Sequence, residues 1–126
     1  MKMCMKILRN SLLAATIVMA SSSIARTNDY IDASIKLIIT SIAQINILSR
    51  NCNPSSSLSL RSRALRTVSR VPGIDITDVV VLLIEEEAQE QRFLGTACYE
   101  NSLDLLRLLE RTLERTVNDL QKKISE

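Results

Sequence analysis

Only four residues in this 126-residue chain are glycine or proline: Pro54, Pro72, Gly73 and Gly95. A loop-rich, all-β or Gly/Pro-rich disordered protein would need many more. The segments between these breaks are long for β-strands, which usually run to about 5–6 residues, and ordinary for helices. Hydrophobic residues make up 46% of the chain, enough to build a core. The pattern predicts an all-α fold of about four helices.

The first 25 residues follow a different logic. Lys2, Lys6 and Arg9 make a basic start, and Leu12 to Ala20 is a short apolar run. Ser21 to Ala25 follows, with small residues at Ser23 and Ala25, the −3 and −1 positions for cleavage after Ala25. An apolar run of nine residues is too short to cross a bilayer, which takes about 20. Cys4 precedes this run, so it does not fit a lipid-anchored cysteine at the cleavage point. Residues 1–25 are therefore expected to be a cleaved signal peptide, and 26–126 a single helical domain in the periplasm or outside the cell.

Removing 25 of 126 residues leaves 101, and three basic groups leave with them. The 16 basic groups fall to 13 against 14 acidic ones, so the net charge moves from +2 to −1. The apparent basic excess belongs to the leader and does not point to an anionic partner. Cys52 and Cys98 remain as an even pair, which in an exported domain predicts one disulfide. The alternative is two unrelated buried thiols. A bridge closing that loop would contribute about 4 kcal/mol by chain entropy, against roughly 5–15 kcal/mol for a whole domain.

Along the mature chain, residues 26–28 read as a polar lead, and Asn28 or Asp29 as the cap of a first helix. Ile31, Ile35, Ile38, Ile42 and Ile45 recur on one helical face. This face is wide, since Leu37, Ile39, Ile47 and Leu48 border it, so the helix is either central or also used in a homodimer. Pro54 and the serines after it make a loop, with Ser56 or Ser57 as the next cap. Leu58, Leu65 and Val68 mark the apolar face of the second helix, with Leu60 and Ala64 at its margin, and Val71-Pro72-Gly73 ends it.

Asp75 is placed to cap a third helix over about 76–94, with Ile74 and Val79 as a hydrophobic staple and Gly95 as the stop. Its stripe is Val80, Ile84, Ala88 and Gln91; Val79 to Ile84 alone reads equally as a buried strand. Asn101 is placed to cap the last helix, whose apolar face is Leu103, Leu106, Leu109, Leu113, Val117, Leu120 and Ile124. Asp104/Arg107, Arg107/Glu110, Arg111/Glu114 and Arg115/Asp119 stand at helical pairing distances along it. The expected architecture is a small antiparallel four-helix bundle. Its disulfide joins the end of the first helix to the link between the third and fourth, which lie at the same end of an up-down-up-down arrangement.

Few chemistries are open to this composition. Histidine is absent, which removes Ser–His, Cys–His and His–metal sites. No phosphate-binding glycine loop occurs, and the two mature cysteines are too far apart for a C-x-x-C redox pair. No catalytic residue and no cofactor are implied. Glu86 and Glu90 share a helical face and are weak candidates for a hard cation within the Glu85–Glu90 acidic cluster; a solvated face is the simpler reading.

Arg61, Arg63, Arg66 and Arg70 form a basic stretch in the second helix. Either it pairs internally with the Glu85–Glu90 face, or it contacts a protein partner or an anionic envelope component. Nucleic acid is not expected, since no aromatic platform accompanies the arginines. The expectation is an exported protein that binds another macromolecule. Alternatives are a stress chaperone that opens its aliphatic face to unfolded clients, and a carboxylate-based metal-dependent enzyme.

Overall fold

The structure, a computed structural model, describes residues 22–53 and 58–126. The basic start, the apolar run of the leader and the Ser56/Ser57 cap lie outside the described residues. The chain divides into two units, residues 1–32 and 33–126. In the first, the described backbone is helical from Ser22, and Asp29 and Tyr30 are exposed. No glycine or proline interrupts residues 26–28, and the helix runs through the expected polar lead instead of being capped at Asn28 or Asp29.

Among the described residues four helices follow one another: α1 (Ser22–Cys52), α2 (Leu58–Ser69), α3 (Ile76–Leu94) and α4 (Ser102–Ser125). No strand occurs among the described residues, and 79–84 lies inside α3. The breaks fall where the sequence puts them. Asn53, left-handed at φ 50°, closes α1, and its N–H donates to the Ser49 carbonyl at 2.8 Å. Gly73, at φ 83°, turns the chain after α2, a conformation that a Cβ would strain. The Asp75 carboxylate accepts the Thr77 N–H at 2.9 Å, as an N-cap should. Gly95, at φ 68°, ends α3 with its N–H on the Gln91 carbonyl.

The start of α4 differs from expectation. Asn101 holds the cap position but its side chain makes no cap bond. Ser102 acts instead: its buried hydroxyl accepts the Tyr99 N–H at 2.9 Å, and its own N–H donates to the Tyr99 carbonyl at 3.0 Å.

Within the unit 33–126, α1 is the central element. It contributes Ile35, Ile38, Ile39, Ile42, Ala43, Ile45, Ile47 and Leu48, half of the buried apolar residues among those described. Those buried positions lie on several sides of the helix, as the wide isoleucine face implied. Ala64 and Val68 of α2, Val71 just after it, Val79 of α3, and Leu106, Leu113, Val117 and Leu120 of α4 complete the core. By length and apolarity Asp29–Cys52 could cross a membrane, but 56% of its most apolar window is buried, which fits a central bundle helix. Outside α3, Leu37 at the border of the α1 face, Leu58 at the very start of α2 and Leu103 in the first turn of α4 were expected inside and face solvent.

The third helix is turned over relative to its predicted stripe. Val80, Ile84 and Ala88 are exposed, Gln91 alone of that stripe is half-buried, and the inward side carries Val79, Leu83, Glu86, Glu87, Glu90 and Leu94. The reason lies in the pairing of α1 with α3. Thr40 Oγ1 donates to Glu86 Oε1 at 3.5 Å, and Gln44 Nε2 to Glu90 Oε2 at 3.1 Å. Arg50 reaches Glu87 at 3.5 Å and Gln91 at 3.4 Å. Asn51 Nδ2 donates to the Gly95 carbonyl at 3.0 Å, and Gln91 Nε2 donates to the same oxygen.

Thr40–Glu86, Gln44–Glu90 and Cys52–Cys98 are each separated by 46 residues. A constant offset means that α1 and α3 run parallel in one register. The disulfide closes that register at the end of α1, with Cα atoms 4.9 Å apart. Replacing both Cys52 and Cys98 by Ser is expected to lower unfolding stability by about 2–4 kcal/mol. Urea unfolding followed by circular dichroism measures this; a loss below about 0.5 kcal/mol would mean the non-covalent seam holds the register alone.

Candidate functional site

The four arginines of the basic stretch part company in the fold. Arg61 turns toward α1, where its guanidinium donates to Asn46 Oδ1. Burial pushes its pKa below the usual arginine value, and Glu110 and Glu87 partly offset this. Arg70, beyond the end of α2, is exposed. Arg63 and Arg66 line an open groove between α2 and α4, about 700 Å³ in volume. Ser59 and Leu60 of α2 and Arg107, Glu110, Arg111 and Glu114 of α4 line the rest of it.

The internal alternative, pairing of this stretch with the Glu85–Glu90 face, survives only in the Glu87 charge that acts on Arg61. No ion pair joins α2 to α3 among the described residues. Glu86, Glu87 and Glu90 are engaged by α1 instead, so this acidic face is a half-buried seam and not a solvated surface. Glu86 and Glu90 do share a face, as their spacing predicts, but each accepts from a neutral donor on α1. Among the described residues no three Cys, Asp or Glu side chains gather as a metal-holding group. A smaller cleft of about 240 Å³ lies where Lys36, Ile39 and Thr40 of α1 meet Leu82, Glu85, Glu86 and Gln89 of α3.

Arg107 and Arg111 are the groove residues that sequence reasoning missed. Each stands near an acid at helical spacing, so both read as members of charge pairs within α4. Of the pairs expected there, Asp104–Arg107 is the one that closes, at 3.7 Å between exposed side chains. Arg111 and Arg115 make no ion pair within 4 Å among the described residues. The available signal was the one-turn spacing of Arg107 and Arg111, which puts both on the same side of α4.

Two surfaces therefore stand out. One is the groove, where guanidinium groups from two helices face the same space. Arginine stays charged at any physiological pH and offers a fork of donors to oxyanions. The other is the outward side of α3, where Val80, Val81, Ile84 and Ala88 are exposed, Ile84 by 61%. Comparison with protein-family models, with curated proteins and with solved structures finds no match.

Arg61 anchors the groove side of α2 to the core helix. Arg61→Ala removes a charged donor from Asn46 and leaves Glu110 without its neighbour; it is expected to cost about 1–2 kcal/mol, the lower end of the range for charged hydrogen bonds because the site is only half-buried. Chemical denaturation of the two proteins checks this, and an unchanged midpoint would show that Arg61 is not an anchor.

Proposed function

We propose that this is a small exported helical protein that acts by binding another protein and carries out no catalytic step of its own. The observation that carries this reading is the outward side of α3. On its outward side α3 leaves Val80, Val81 and Ile84 in water, an apolar surface that no described residue covers, while Glu86, Glu87 and Glu90 face α1. Val80, Val81 and Ile84 are 43%, 48% and 61% exposed side by side, and contiguous apolar patches on monomers are often functional. Asp78, Glu85 and Arg92 border it, all exposed. An apolar centre with a charged rim is the usual anatomy of a protein interface. The fitting partner presents an apolar ridge with a basic flank toward Asp78 and Glu85.

Export is supported by the order of basic, apolar and small residues over 1–25 and by the Cys52–Cys98 disulfide, since such bonds persist in oxidising compartments. A client-holding role would need the bundle to open, because Ile38, Ile42 and Ile45 are buried in the resting fold.

Mass spectrometry of the protein from its native cell is expected to show a chain beginning at Arg26 with Cys52 and Cys98 joined. An unprocessed chain with free thiols would refute export. For the interface, a photoreactive residue at Val81 is expected to cross-link one discrete protein species. Ile84→Glu should reduce that product at least tenfold, and Lys122→Glu should leave it unchanged. Equal yield from Ile84→Glu would remove α3 as the binding surface.

A further inference from the structure

The α2–α4 groove holds more positive charge than its own side chains neutralise. Arg63, Arg66 and Arg111 line it and make no ion pair within 4 Å among the described residues. The Nε of Arg63 is buried with no hydrogen-bond partner, so this side chain is drawn into the packed wall. Four arginines face two glutamates there, a net charge of 4 − 2 = +2. Adding the outer neighbours Asp104, beside Arg107, and Arg61, beside Glu110, leaves the sum at +2.

The geometry fits a small anion better than a long one. A volume of about 700 Å³ lies within the range of small-molecule sites. Arg63/Arg66 on one helix and Arg107/Arg111 on the other are each spaced by one turn, so each wall offers two forks. Arginine forks match the oxygens of phosphate bidentately. A phosphate monoester carries roughly −1.5 to −2 at pH 7, which meets the +2 of the groove, whereas a single carboxylate meets half of it.

We propose that this groove is a binding site for a phosphate monoester, its oxygens held by Arg66 and Arg111 from opposite walls with Arg63 and Arg107 beside them. The site is independent of the α3 surface, and neither stands or falls with the other. The monoester has two sources, a soluble ligand or the headgroup of an anionic lipid.

Calorimetric titration of the full-chain, disulfide-bonded protein with glycerol 1-phosphate, and co-sedimentation with vesicles of phosphatidic acid in phosphatidylcholine, distinguish them. Saturable binding of glycerol 1-phosphate, weakened at least tenfold by Arg66→Gln and by Arg111→Gln and less than twofold by Arg70→Gln, supports a soluble ligand. The same pattern with phosphatidic acid vesicles alone assigns the headgroup. Both variants change exposed residues, and circular dichroism confirms their fold. Absence of binding to either probe, an equal loss with Arg70→Gln, or equally tight binding of succinate would overturn the site.

Discussion

The register between α1 and α3 is the constraint on which the rest of the structure depends. Thr40 to Glu86, Gln44 to Glu90 and Cys52 to Cys98 all keep the same 46-residue offset. Two of these ties are hydrogen bonds to carboxylates, and the third is covalent. Together they fix the rotation of α3 about its own axis. Once Glu86 and Glu90 face α1, a helix of 3.6 residues per turn has no choice but to present Val81, Ile84 and Ala88 on the far side. The exposed apolar surface is thus a consequence of a polar seam, not a failure of packing. The same seam occupies Glu86 and Glu90, and Arg63 and Arg66 of α2 line the groove shared with α4.

The core that supports this arrangement is aliphatic. Tyr30, Phe93 and Tyr99 are all exposed, Phe93 by 84%. The largest fully buried side chains are isoleucines, leucines and valines, led by Ile38, Ile42, Ile45 and Ile47 on α1. Each such burial contributes about 1.5–3 kcal/mol. A β-branched side chain is held to one main rotamer in a helix, which costs some helix propensity but yields a stiff central rod. The disulfide then acts where that rod ends. Asn53 in its left-handed conformation stops α1 one residue after Cys52, and Gly95 stops α3 three residues before Cys98. The cysteines therefore meet in a short, firmly bounded stretch.

Much of the helical layout was legible before any coordinate. Pro72, Gly73 and Gly95 marked the breaks, Asp75 marked a cap, and Ile35, Ile38, Ile42 and Ile45 marked the inner face of α1. These signals are local: a glycine at positive φ, a carboxylate at an N-cap and an apolar stripe act through neighbours within one or two turns. Where a local signal was ambiguous, it misled. Val80, Ile84 and Ala88 are a proper apolar stripe, yet they face out, because the inward side offers Val79, Leu83 and Leu94 for burial together with Glu86 and Glu90, which accept from Thr40 and Gln44. Asn101 is as good a cap by composition as Asp75, but the Tyr99–Ser102 turn already satisfies that end. Arg107 and Arg111 were hidden by the acids beside them, since spacing alone does not tell which charges of a helix close.

The sequence by itself determined that this chain is helical, that it has no histidine, and that Cys52 and Cys98 can join one end of a bundle. Those properties follow from residue type and short-range spacing. The tertiary structure alone decided which side of α3 meets water, which arginines converge and which carboxylates are used up. These depend on the rotation and register of one helix against another, set by contacts between residues some 46 positions apart, which no local pattern encodes.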